Sequence, residues 1–266
     1  MRKSISSLQN AAVKKLIQLK EKSRERKKNN SFVIEGFREI QLALKSGYQL
    51  QEIWVCDSIF NTENASFLTD FEQKITIFDC SEEVYGKIAH RGSTEGIIAV
   101  AKAENHTLKD LHLPKNPLIL IAEAPEKPGN IGALLRTADA AGVDAFILAN
   151  PKTDLYNPNT IRSSVGAVFT VPIALASTLE TIEFLKNKNI ALYSAILQES
   201  VPYQQMDYTN PTAIAVGTEA DGLTDLWRER CQQNISIPMQ GTLDSMNVSV
   251  AAGILIFEAR RQRGFH

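Results

Sequence analysis

Six short, predominantly apolar runs in the second half of the chain constrain its fold most strongly. They are LILIAEA (118–124), AFILAN (145–150), VPIALA (171–176), IALYSAI (190–196), AIAVGTE (213–219) and ISIPM (235–239). Runs of this length and character suit strands covered on both faces. The intervening sequence predicts helices over about 130–141, 158–166, 178–187 and 223–230, with a final helix over about 245–261. Strands alternating with helices predict a mostly parallel sheet over residues 117–266. In such sheets ligands sit beyond the carboxyl ends of the strands. The segments just after these runs are therefore where chemistry is expected.

The first half reads differently. Residues 7–28 predict one helix, with Leu8, Ala12, Leu16 and Leu19 at helical spacing and basic residues between them. Residues 1–30 carry ten Lys or Arg against two Glu, a local balance of +8 within a chain whose net charge is only −1. A polyanion can meet such an arm by counterion release; a solvated charged helix is the alternative. Strands and helices then alternate over about 30–101, which predicts a small α/β domain. The stretch AENHTLKDLHLPKNP, with two prolines, is the expected linker over 102–116. The domains read as a basic helix over 1–28, an α/β domain over 29–101, that linker, and the second α/β domain over 117–266.

Several function classes lack their signatures. There is no G-x-G-x-x-G dinucleotide fingerprint, phosphate-binding G-K-[ST] loop, G-x-S-x-G elbow or H-E-x-x-H motif. The three cysteines are widely spaced, and His106 and His112 have no cysteine cluster near them, so no metal site is expected. No apolar stretch is long enough to span a membrane, and the basic start is not followed by an apolar core, so a cytoplasmic location is expected.

Four segments could carry chemistry. In PEKPGNIGALLRTADAAG (125–142), Asn130 can cap a helix starting at Ile131, and Gly132 permits a close approach. Arg136 lies nearly two turns further on, aimed at a phosphate or carboxylate, or else solvated or paired to an acid such as Asp139. In NPNTIRSSVGAVFTVP (157–172), Arg162, Ser163 and Ser164 can donate to a phosphate or simply pack. In AIAVGTEADGL, Gly217 and Gly222 allow a loop around a ligand, and Glu219 ends the strand. In ISIPMQGTLDSMNVSVAAGILIFEARRQR, Ser245, Asn247 and Ser249 cluster where the last helix begins, with Ser245 its natural cap.

These four segments, in this order and spacing, resemble the SpoU/TrmH group of RNA ribose 2′-O-methyltransferases, within the SPOUT superfamily. FVIEGFREIQLAL resembles the start of the small ribosomal-protein-like substrate-binding domain that precedes the catalytic domain in many members. The resemblance implies a trefoil knot in the C-terminal domain and S-adenosylmethionine as cofactor in a homodimer. It implies catalytic roles for Asn130, Arg136, Glu219, Ser245 and Asn247. Gly217, Thr218, Gly222, Ile237, Met239, Ser245 and Met246 would bind the cofactor, with Met246 replacing the usual Leu of S-L-N. The implied partner is RNA, ribosomal RNA in the first place and transfer RNA second. Lys14, Lys15, Arg24, Arg26, Lys27, Arg38 and Arg162 are the expected RNA contacts, and no metal is involved.

A guanidinium is a poor proton acceptor, so the role expected of Arg136 is to hold a phosphate and stabilise developing charge; a role as general base stays open. Two other classes remain: an enzyme using a nicotinamide cofactor on a dinucleotide-binding sheet, and an RNA-binding protein without catalysis.

Overall fold

In the computed structural model of this chain the described residues are 1–90, 95–218, 221–242 and 245–265. They form two compact units: Met1–Asn105 with Tyr156–Arg162, and His106–Leu155 with Ser163–His266.

The first unit comprises β1 (Arg2–Ile5), α1 (Ala11–Glu21), α2 (Ser23–Asn29), β2 (Ser31–Glu35), α3 (Phe37–Lys45), β3 (Leu50–Val55), α4 (Ala65–Thr69), β4 (Thr76–Cys80), α5 (Glu82–Ile88) and β5 (Ile97–Lys102). Its sheet has the order β1-β4-β3-β5-β2. β1 and β3 flank β4 in parallel, whereas β5 runs antiparallel to both β3 and β2.

The expected separate helix over 1–28 is instead part of this unit. Residues 2–5 are an edge strand, and α1 sends Val13, Leu16 and Leu19 into a core with Trp54, Tyr85 and Ile98. The helical period holds, but there are two helices rather than one. Asn10 caps α1 by accepting from Ala12 N–H, and the backbone becomes extended at Lys22. Arg26 then turns inward at 4% exposure and donates to the carbonyls of Leu19 and Lys20, satisfying the end of α1. Asn30, with φ of 47°, stops α2.

The segment 156–162 also departs from expectation. It groups with the first unit, where the Tyr156 ring stacks on Phe32 with centroids 4.0 Å apart. The linker is shorter than expected: His106 already belongs to the second unit, its carbonyl accepting from Leu175 N–H at 2.7 Å. Leu108, Leu111 and Leu113 pack against that unit's core.

The second unit comprises β6 (Leu118–Glu123), α6 (Pro128–Ala140), β7 (Ala145–Ala149), the end of α7 (Pro158–Ser164), α8 (Ala167–Thr170), β8 (Ile173–Ala176), α9 (Thr178–Asn187), β9 (Ala191–Ala195), β10 (Val201–Pro202), β11 (Thr212–Val216), α10 (Asp225–Arg230), β12 (Gln233–Ser236) and α11 (Val248–Arg263). All strand pairs are parallel, in the order β10-β12-β9-β11-β6-β7-β8. The six predicted strands are present, and the two-residue β10 extends the sheet. From β6 the chain builds outward through β7 and β8, then returns to build the other side. The strand order therefore reverses between β6 and β11, where a ligand crevice is expected.

The last helix ties this side of the unit together. α11 packs on α6, β6 and β11. Arg260 donates to the Ala141 carbonyl at 2.8 Å, beyond the end of α6, and Arg263 donates to the carbonyls of Tyr208 and Asn116 at 2.7 and 3.0 Å. These arginines bind other segments rather than merely complementing their own helix end.

Candidate active site

The site is built from the segments that leave the carboxyl ends of β9, β11 and β12. After β11 the chain folds back on itself: Thr218 and Gly222 exchange two backbone hydrogen bonds of 3.1 Å. Gly222 has φ of 67°, a conformation that favours glycine. Gly217 is required for a different reason. A Cβ there would lie 2.0 Å from the carbonyl carbon of Gly222 and 2.3 Å from Leu223 N. Its first role is thus to let two stretches of backbone touch.

The resulting cleft is walled by Ala195–Leu197 after β9, Val216–Thr218 and Gly222 after β11, and Ile235–Ile237 with Met239 on β12 and beyond it. Ser245 and Met246 lead into α11, which adds Val248, Ala251 and Leu255. All seven residues expected to hold the cofactor, Gly217, Thr218, Gly222, Ile237, Met239, Ser245 and Met246, meet at this one cleft. Ile196, Leu197, Val248, Ala251 and Leu255 were not anticipated. Only their position at the strand ends and at the last helix could have signalled them, since ordinary aliphatic residues carry no motif. Apolar side chains beside exposed strand-end backbone suit a flat heteroaromatic ring with polar edges.

A second recess adjoins the cleft and shares Gly217, Thr218 and Val248 with it. Its other wall is Pro125, Glu126, Lys127, Asn130 and Leu134. Asn130 is not the cap of α6, because the helix begins at Pro128, whose missing N–H suits the first position. Asn130 lies in the first turn instead, and lines the recess. At the rim, Lys152 Nζ lies 2.5 Å from Glu126 Oε1. That hydrogen bond holds the Glu126 carboxyl below, and the Lys152 ammonium above, their ordinary ranges.

Gly132 does serve a close approach, to protein. A Cβ there would lie 1.9 Å from Ser163 Oγ and 2.7 Å from Ser164 N. Ser163 donates to the Pro128 carbonyl at 3.5 Å, and buried Ser164 accepts from Val168 N–H at 3.4 Å. These two serines pack the end of α7 against α6 and α8, the packing alternative of the two that the sequence leaves open.

Arg136 stands exposed on α6 and lines neither cavity. Among the described residues it has no ion-pair partner; Asp139 instead accepts from Thr170 Oγ1 at 2.6 Å. Asn247, not Ser245, caps α11, its Oδ1 accepting from the N–H and hydroxyl of Ser249 at 2.9 and 2.6 Å. Glu219 lies outside the described residues.

Of the expected RNA contacts, Lys14, Lys15, Arg24, Lys27 and Arg38 are exposed in the first unit. Lys15 lies 3.9 Å from Glu52. Arg26 is buried in the fold and drops out of the set. Arg162 is exposed and donates to Asn159 Oδ1 at 2.8 Å. It lines a recess with Glu35, Glu39 and Glu95, where burial and then the neighbouring Glu95 push the Glu39 carboxyl up. That acidic setting suits a phosphate contact poorly.

A parallel sheet whose strand order reverses beside a partly apolar cleft, with a second recess opening into it, is an α/β arrangement with room for two ligands side by side. Comparison with known proteins specifies the class. Residues 117–257 match the SpoU rRNA Methylase family, and residues 10–99 match the MRM3-like substrate binding domain. The 23S rRNA (guanosine(2553)-2′-O)-methyltransferase RlmP of Bacillus subtilis is 32% identical over 97% of this chain and 99% of its own. A solved RNA 2′-O ribose methyltransferase is 38% identical, with a TM-score of 0.84 over 98% of this chain and 99% of that one. The AdoMet-bound rRNA methyltransferase of Sinorhizobium meliloti is 28% identical, with a TM-score of 0.90 over 98% of both chains. This chain belongs to the SpoU/TrmH family of RNA ribose 2′-O-methyltransferases.

Proposed function

We propose that this chain transfers a methyl group from S-adenosylmethionine to a ribose 2′-hydroxyl of ribosomal RNA. The observation that carries this is convergence. Seven residues spread from Gly217 to Met246 meet at one cleft, and the recess bearing Asn130 opens beside it. The names of the relatives favour ribosomal over transfer RNA. The segment matching a substrate-binding domain supplies a surface for that RNA, with Lys14, Lys15, Arg24, Lys27 and Arg38 exposed on it.

The cleft fits the cofactor by the chemistry of its lining. Leu197, Ile237 and Met239 offer apolar contact for an adenine, while the Gly217–Thr218 backbone and Ser245 offer polar groups. S-adenosylmethionine supplies an activated methyl group on a sulfonium. The chain's own residues position the acceptor. Asn130 orients the ribose at the recess, Arg136 holds the phosphate beside it and stabilises the oxygen as its proton passes to water, and Glu219 and Asn247 keep the catalytic roles that the family resemblance implies.

Two features of assembly belong to the same proposal. α11 presents Val250 and Phe257, seven residues apart on one helical face, at 53% and 40% exposure. A second copy of the chain covers that face, in a homodimer. The path through β11 between β9 and β6, out to β12, and back along α6 in α11 suits a trefoil knot.

The test is transfer from labelled S-adenosylmethionine to total RNA, followed by mapping of 2′-O-methyl positions with and without the protein. One ribosomal position appearing only with the protein is expected. Label in transfer RNA alone would refute the substrate assignment, and no label in any RNA would refute the activity.

A further inference from the structure

Glu123 is an acid at the end of an otherwise apolar central strand, and it is only 2% exposed. A carboxylate so buried is costly unless its oxygens are hydrogen-bonded. Here they are, and the partners come from distant parts of the second unit. Thr178 Oγ1, in the first turn of α9, donates to Oε1 at 2.7 Å. Thr224 donates twice, from its hydroxyl to Oε1 at 2.8 Å and from its N–H to Oε2 at 2.7 Å. Behind Thr178, Asn150 Nδ2 at the end of β7 donates to Thr178 Oγ1 at 2.9 Å, which directs the threonine proton to the carboxylate.

Thr224 occupies the cap position of α10, where a threonine hydroxyl ordinarily accepts from the helix's own amides. It makes no such bond. Its hydroxyl and its amide both go to Glu123. The anchored residue closes the segment that starts at Gly217 and brings Gly217, Thr218 and Gly222 to the cleft.

We propose that Glu123 is a positioning residue of the cofactor site. It clamps Thr224, two residues beyond the Thr218–Gly222 backbone pair, to the end of β6, while Thr178 and Asn150 hold the carboxylate in line. This rests on the assignment of the cleft to S-adenosylmethionine. It gives a buried acid that lines neither cavity an effect on ligand affinity through Thr224.

Glu123→Gln puts an amide N–H opposite either the Thr224 N–H or two hydroxyls, one of which already accepts from Asn150. Thr224→Val keeps the backbone bond and the side-chain shape but removes the hydroxyl; Thr224→Ser restores it. The measurements are calorimetric titration of the full chain with S-adenosylmethionine, and hydrogen exchange over residues 217–224. Glu123→Gln and Thr224→Val should weaken binding about tenfold, the scale of one lost hydrogen bond to a charged group. Stoichiometry should stay at the wild-type value, and exchange of the segment should quicken. Thr224→Ser should match wild type in both. A carboxylate that served folding alone would lower the bound fraction and the melting temperature while the folded molecules kept their dissociation constant; that result overturns the proposal. Should Glu123→Gln fail to fold, the two Thr224 variants decide by the same criteria. Wild-type protein that binds no S-adenosylmethionine, with the segment still loosened in the variants, would overturn the cofactor assignment and sustain the anchor.

Discussion

Gly217→Ala is the most informative single change, because its consequence can be worked from contacts that no side-chain rotation relieves. The added Cβ would meet three backbone atoms, the carbonyl carbon and oxygen of Gly222 at 2.0 and 2.2 Å and Leu223 N at 2.3 Å. Each is far inside van der Waals contact, so the two strands of backbone must part. Parting them breaks the paired bonds between Thr218 and Gly222. At about 1 kcal/mol for each net hydrogen bond, opening the segment costs about 2 kcal/mol. That figure is also a ceiling, because the segment can open without unfolding the sheet. For a domain of this size it corresponds to a fall in melting temperature of about 4–8 °C. If the cleft binds only with the segment closed, the same 2 kcal/mol weakens S-adenosylmethionine binding by roughly 30-fold.

The assay pairs a thermal melt with calorimetric titration. Gly86→Ala is the control, since Gly86 lies inside α5, is exposed, and has open space where its Cβ would go. It should gain up to about 1 kcal/mol of helix propensity and leave binding unchanged. Gly217→Ala with wild-type affinity would refute the reasoning, as it would show that the cleft does not depend on this backbone contact.

Arg136→Ala should keep the fold and S-adenosylmethionine affinity, because Arg136 is exposed and lines neither cavity. Single-turnover methyl transfer should fall at least about 10²-fold, with incomplete rescue by Lys; near-normal turnover would return Arg136 to the surface. Replacing Lys14, Lys15, Arg24 and Lys27 together by Gln should lower the salt dependence of RNA binding by up to about four phosphate contacts without a change in melting temperature. Arg26→Ala should do the reverse, because its guanidinium caps α1; equal salt slopes would remove this surface from the RNA interface. Phe257→Asp should convert a species of about twice 29.5 kDa to one of chain mass in sedimentation; an unchanged sedimentation mass would place the interface elsewhere.

The second unit was largely legible because its strands are covered on both faces and stand out as apolar runs. What escaped was β10, two residues long and ending in a proline, too short to carry a pattern. The first unit was misdivided for a physical reason. A run of lysines and arginines looks like a solvated arm, and nothing in the spacing shows that Arg26 turns inward to meet two carbonyls while Leu16 and Leu19 complete a core. Position in the chain hid the fate of 156–162 as well, since contact in space, not adjacency in sequence, assigns them. The start of α6 was within reach: Pro128 suits a first helical position better than Asn130 suits a cap.

The candidate site shows a deeper division. Residues with distinctive chemistry, such as Asn130 and the Gly217 and Gly222 pair, could be named from the sequence, but the work the glycines do could not. Gly217 reads as an opening for a ligand, and Gly132 as one for a ligand or another backbone. Each admits protein, Ser163 and Ser164 at Gly132 and the Gly222 backbone at Gly217. The ligand surface is what these contacts leave behind, so its shape depends on residues that never touch a ligand. Glu123 belongs to that group, and it had a signal: one acid in LILIAEA, where every neighbour on the strand is apolar. An ionisable side chain in a strand covered on both faces must find partners within the fold. Those partners, Thr178 and Thr224, lead straight to the segment that walls the cleft.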